Sequence, residues 1–168
     1  LEVVKNEEKK EFRNPRAPFT TSTLQQEASR KLSFSASRTM RAAQKLYEGL
    51  NIGSEVTGLI TYMRTDSVQL SKDSITDLRK MITNEYGDSY CPEKLKIYKS
   101  KVANAQEAHE AIRPTDVKRM PKTVKAYLDD DCYKLYDLIW KRTVSSQMAS
   151  AIINKTIIDV ESINKTDI

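Results

Sequence analysis

The sequence predicts a mainly α-helical domain with short β-strands, inserted into a β-containing host of which only the cut ends are present. Three observations carry this. Apolar residues recur at helical spacing in several stretches bounded by capping residues, a glycine-containing β-branched stretch interrupts them at 51–67, and strand-like apolar segments stand at both ends of the chain.

In order along the chain, Leu1, Val3 and Val4 open an apolar stretch that turns into the charged run KNEEKKEF. Pro15 and Pro18 make NPRAPF an extended linker, because proline disfavours helix in the residue before it. Thr20, Thr21, Ser22 and Thr23 supply candidate N-caps for a helix over 24–32. A second helix is expected over 38–48, with Ser37 as its cap, Met40, Ala43 and Tyr47 on one face, and Gly49 at its end. Residues 51–67 read as loop, short strand and loop. Helix returns at Ser71, with Ile75, Leu78 and Ile82 at helical spacing, and Gly87 closes it. Residues 88–106 look irregular. A short helix over 107–112 has to stop near Arg113, since Pro114 follows. The last long helix, over 129–148, places Leu128, Cys132, Leu135 and Ile139 on one side and its acids at the N-terminal end, where the helix dipole favours them. IINKTIIDVESI in the tail is β-prone. The expected division is strand and linker over 1–18, the helical domain over 19–148, and a returning strand over 149–168.

Composition narrows the function. A hydrophobic fraction of 39% and a charged fraction of 30% over 168 residues suit a folded, water-exposed domain. No apolar run reaches the roughly 20 residues needed to cross a bilayer, so no membrane role is expected. The chain starts without Met and without the apolar core of a signal peptide, so it reads as a piece of something longer. Cys91 and Cys132 stand far apart with no close Cys or His, which encodes neither a zinc site nor a disulfide framework. Reduced cysteines and an intracellular compartment are expected. No metal-ligand constellation is seen. From Arg13 to Arg64 there are eight Lys or Arg against three acids, a local excess equal to the whole net charge of +5. Such a stretch attracts a polyanion, or is simply a solvated basic surface.

Tyr62 is the residue best placed for chemistry. A phenol is a weak nucleophile at neutral pH unless a neighbouring cation favours its phenolate, and Arg64 lies two positions on. In extended backbone, residues i and i+2 share a face, so both side chains can enter one cleft. Arg64 can also grip a phosphate through paired hydrogen bonds. Thr61, Thr65, Asp66 and Ser67 add short polar groups. The plain alternative is a core tyrosine beside a solvated arginine.

The string GLITYMRTDS at 58–67 resembles the nucleophile segment of type IA DNA topoisomerases. PFTTSTLQQEA at 18–28 is similar to the family's passage from its arch into the tyrosine domain, AQEAHEAIRPTD at 105–116 resembles its histidine motif, and LYDLIWKR at 135–142 is a weaker match. The resemblance implies that Tyr62 attacks single-stranded DNA to form a 5′-phosphotyrosine link. It implies that Arg64 positions the scissile phosphate and that His109 contacts DNA near the break. It further implies rejoining without ATP, Mg²⁺ held by an acidic cluster in a domain absent here, none bound by this piece, and the remaining domains of the same enzyme as partners. Site of action would be the cytoplasm, at the nucleoid. Thr61, Arg30, Lys31, Arg38, Arg41 and Arg113 are candidate DNA contacts. A non-catalytic DNA-binding module of the same fold, or the same domain within a reverse gyrase, remain alternatives.

Overall fold

The computed structural model describes residues 1–99 and 110–162. The elements follow in the order β1 (Glu2–Arg13), α1 (Thr21–Leu32), α2 (Ala36–Glu48), β2 (Leu50–Ile52), β3 (Glu55–Thr57), α3 (Lys72–Tyr86), α4 (Pro121–Val124), α5 (Asp130–Ser146) and β4 (Ala151–Glu161). Helix therefore dominates. The chain divides into two units, Arg16–Ala149 and the paired ends Leu1–Pro15 with Ser150–Ile168.

In the second of these units β1 and β4 form an antiparallel ribbon. Glu2 lies opposite Glu161 and Arg13 opposite Ala151, with an irregularity between Val3 and Lys5. No residue of either strand is buried, and Val3, Phe12, Ile152, Ile158 and Val160 are exposed.

The larger unit is built on well-capped helices. Thr20 and Thr23 form a reciprocal capping box at the start of α1, each hydroxyl accepting from the other's backbone N–H (3.2 and 2.9 Å). The cap of α2 is Ser35, which accepts from Arg38 N–H at 3.2 Å. The sequence favours Ser37 as the cap; FSAS offers two serines, and it is the first whose side chain makes the capping bond. Ser71 and Asp129 cap α3 and α5 through Ser74 and Cys132 N–H. Gly49 and Gly87 end α2 and α3 with positive φ, which only glycine adopts without strain. Thr39, Ala42, Ala43 and Leu46 of α2 and Leu135, Tyr136, Ile139 and Val144 of α5 enter one core with Phe19, Leu24, Ile82 and Ile112. Trp140 and Tyr136 pack there as well. Their polar ends are satisfied by Val117 and Arg119 carbonyls at 2.9 and 2.6 Å. Cys132 is buried and Cys91 half-buried, and both are free thiols.

One expected element is different. Of the helix anticipated over 107–112, residues 107–109 lie outside the described residues, and 110–112 are not helical. Ile112 instead bridges Phe19 in antiparallel fashion, donating its N–H to the Phe19 carbonyl at 2.8 Å. Pairing with a distant segment has overridden local helix preference here. The four-residue helix α4, opened by Pro121, was not anticipated.

Candidate nucleic-acid cleavage site

After α2 the chain makes the β2–β3 hairpin and returns to where it left. Leu59 N–H donates to the Leu46 carbonyl at 2.7 Å. Gly58 sits so close to the end of α2 that a Cβ there would stand 2.5 Å from the Tyr47 carbonyl oxygen, which explains why this turn needs glycine. From Gly58 the backbone runs between two neighbours without joining a regular sheet, bending at Thr61 and Met63.

On one side it is laced to 111–115. Ile60 bridges Pro114, and Thr61 N–H donates to the Arg113 carbonyl at 2.9 Å. The Thr61 hydroxyl donates to the Ala111 carbonyl at 2.7 Å and accepts from Arg113 N–H at 3.0 Å. Thr115 closes this side through Gly58 and Leu59 carbonyls, at 2.7 and 3.0 Å. On the other side stands Thr21, at the first turn of α1. Its hydroxyl donates to the Met63 carbonyl (2.7 Å) and accepts from Thr65 N–H (2.9 Å), while its own N–H donates to the Thr65 carbonyl (2.9 Å).

The lacing imposes strict alternation. Met63, Thr65 and Ser67 are buried, whereas Tyr62, Arg64 and Asp66 are exposed. Tyr62 is 48% exposed and Met63 1%. Tyr62 and Arg64 are thus both turned to solvent on either side of the buried Met63, the alternation expected of residues two apart. The Tyr62 ring meets the Tyr47 ring edge-to-face, centroids 5.2 Å apart at 62°. Arg64 makes no ion pair among the described residues. Arg113 turns back on its own segment, pairing with Glu110 and donating to the Pro114 carbonyl at 2.9 Å. His109 lies outside the described residues.

The remaining basic candidates fall elsewhere. Arg30 and Lys31 join Arg16 and Arg142 around the carboxylate of Glu27, which is 7% exposed, at distances of 2.9–3.9 Å. Burial pushes the Glu27 pKa upward, but hydrogen bonds from Arg30 and Lys31 and the charge of Arg142 outweigh it and hold it at about 2. Arg142 also lies over the Phe19 ring at 4.3 Å. Arg38 grips Asp131 through two bonds of 2.8 and 2.7 Å, tying α2 to α5, and lies over Phe34. The bond to Arg38 lowers the Asp131 pKa. Arg41 is exposed and makes no ion pair among the described residues. Among those residues no three of His, Cys, Asp and Glu gather as ligands for a metal ion. Nor is any helix long and apolar enough to cross a membrane.

The DNA topoisomerase family model matches residues 1–167. The chain belongs to the DNA topoisomerase family. It is 58% identical over 163 residues to the DNA topoisomerase 1 of Rickettsia felis, covering 97% of this chain and 21% of that protein. It is 53% identical to the DNA topoisomerase 1 of Xylella fastidiosa, covering 96% and 20%. The solved structure of full-length topoisomerase I from Thermotoga maritima superposes with a TM-score of 0.78 at 41% identity, covering 93% of this chain and 24% of that one. The chain thus spans about a fifth of the length of these bacterial relatives.

Within this topoisomerase segment, two residues that shape the site, Thr21 and Gly58, and one buried ion-pair cluster away from it do not announce themselves in the sequence. Thr21 was one of several threonines at a helix start, and nothing local separates the one that caps from the one that reaches the tyrosine segment. Gly58 was legible only as part of the motif. Glu27 and Arg142 meet across α1 and α5, a partnership invisible to spacing along the chain.

Proposed function

We propose that this chain is the cleavage-and-rejoining segment of an ATP-independent type IA topoisomerase and that Tyr62 is its nucleophile. The observation that carries the proposal is the exposure of both Tyr62 and Arg64, the latter without an ion pair among the described residues, on a segment whose alternate residues Met63, Thr65 and Ser67 are locked into the core. The Tyr62 Oη attacks the phosphorus of a single-stranded DNA phosphodiester and loses its proton. The P–O3′ bond breaks, the 3′ oxygen leaves and takes up a proton, and the 5′ phosphate stays on the tyrosine. Because one phosphoester replaces another, reversal needs no nucleotide, and strand passage through the break relaxes negative supercoils. Phosphoryl transfer asks a protein mainly for positioning and charge stabilisation. The Arg64 guanidinium supplies the second through paired hydrogen bonds to the non-bridging oxygens. His109, placed by AHEAIRP, contacts DNA beside the break.

A divalent cation belongs, by the family resemblance, to a domain outside this chain. The described residues bring no ligand cluster together that fits one, and no step here is routed through it. On this reading the paired strands β1 and β4 belong to the arch into which the helical unit is inserted. The segment alone is expected to be inactive, acting with the rest of the enzyme on bacterial DNA at the nucleoid.

The deciding experiment uses the full-length enzyme, magnesium and end-labelled single-stranded DNA, denatured during turnover. An adduct carrying the DNA downstream of the break, absent in Tyr62→Phe, is expected. An adduct that persists in Tyr62→Phe, or that carries upstream DNA, overturns the proposal. Relaxation of supercoiled plasmid by the 168-residue chain alone would overturn its expected inactivity.

A further inference from the structure

Tyr47 occupies the last turn of α2, fifteen residues before Tyr62, yet the two rings touch. The β2–β3 hairpin leaves α2 and comes back, the Leu46 carbonyl accepts from Leu59 N–H, and Gly58 lies flat against the Tyr47 carbonyl. The base of the tyrosine segment is therefore fixed to the same helical turn that carries the Tyr47 ring. The result is an edge-to-face pair, 5.2 Å between centroids at 62°.

Core packing does not account for this ring. Tyr47 is 41% exposed, whereas its neighbour Leu46 is fully buried and does the packing of that turn. Tyr62 has a different need. Its backbone is held on both sides, but its half-exposed side chain could still turn among staggered rotamers. An edge-to-face contact selects one of them, and aromatic pairs of this kind shift such a population by about three- to tenfold.

We infer that Tyr47 is a positioning residue of the cleavage site, its ring holding the Tyr62 ring so that the phenol oxygen meets the scissile phosphate. This rests on Tyr62 being the nucleophile. The ring of Tyr47 acts, not its hydroxyl, so phenylalanine substitutes for it and an aliphatic side chain does not. The effect falls on the chemical step, because a phosphate gripped by Arg64 binds equally well whichever way the Tyr62 ring points.

The test is single-turnover cleavage of a single-stranded oligonucleotide by the full-length enzyme at saturating DNA, with the Kd measured separately for each variant. Tyr47→Leu and Tyr47→Ala are expected to cleave about three- to tenfold more slowly with unchanged Kd, and Tyr47→Phe to stay within about twofold of the parent. A parental rate in Tyr47→Leu overturns the inference, as does equal slowing in Tyr47→Phe, which would transfer the role to the hydroxyl. A loss confined to Kd overturns it too, since it would make Tyr47 a DNA contact. Tyr62→Phe, run in parallel, separates the two proposals: an adduct there defeats the nucleophile assignment, whatever the Tyr47 variants do.

Discussion

Two non-helical stretches of this chain, the β1–β4 ribbon and the tyrosine segment, are held by opposite means. The β1–β4 ribbon has an antiparallel ladder along most of its length and buries none of its residues. The segment from Gly58 to Ser67 has no regular ladder, yet every second side chain from Met63 onward is buried. An isolated two-stranded ribbon is marginally stable by itself. The tyrosine segment is thus fixed by inserted side chains and by scattered bonds to 111–115 and Thr21, not by a regular ladder.

The comparison can be tested by unfolding the chain in urea while following Trp140, its only tryptophan, which lies in the helical core. The largest effect is expected from Met63→Ala, which leaves a cavity under the tyrosine segment and should cost about 3–4 kcal/mol. A loss below about 1 kcal/mol would mean that the inward face does not hold the segment.

Acid should act next most strongly. Glu27 has its pKa held at about 2, below the usual 4.5, so its ion pairs stabilise the fold fully above pH 4.5 and are lost as pH falls towards 2. The loss should be on the order of 3 kcal/mol across that window, and Glu27→Gln should flatten it. An unchanged pH profile in Glu27→Gln would show that other carboxylates govern acid unfolding.

Thr21→Val keeps the shape of the side chain but leaves the Met63 carbonyl and Thr65 N–H without their hydroxyl partner. A cost of about 2 kcal/mol is expected, with slower cleavage by the full-length enzyme. The smallest change belongs to the ribbon: Ile158→Ala, at an exposed position, should shift the Trp140-reported midpoint by less than about 0.5 kcal/mol. A shift as large as that of Met63→Ala would erase the contrast between the two regions.

The sequence made local features legible. Gly49, Gly87, Ser71 and Asp129 stand where helices end or begin because caps are satisfied by residues a few positions away. Tyr62 and Arg64 both turn to solvent because the alternation between neighbours is also local. What escaped depends on distant partners. Ile112 bridges Phe19 rather than closing a helix, and the Thr21 hydroxyl reaches residues more than forty positions on. Arg30 and Lys31 look alike as surface cations in the sequence, and the structure gives both to Glu27, whose burial no spacing rule announces.

Because Leu59 returns to the carbonyl of Leu46, the hairpin between them is a closed excursion. Residues added to or removed from its tip would leave the tyrosine where it is. Between Tyr62 and Ser67 the opposite holds. There exposed and buried residues alternate one by one, so an amino acid inserted or deleted just before Tyr62 would reverse the parity, turning Tyr62 into the core and Met63 out to solvent. Natural variation in length is therefore to be sought in the hairpin, while the motif after it can change its letters but not their number.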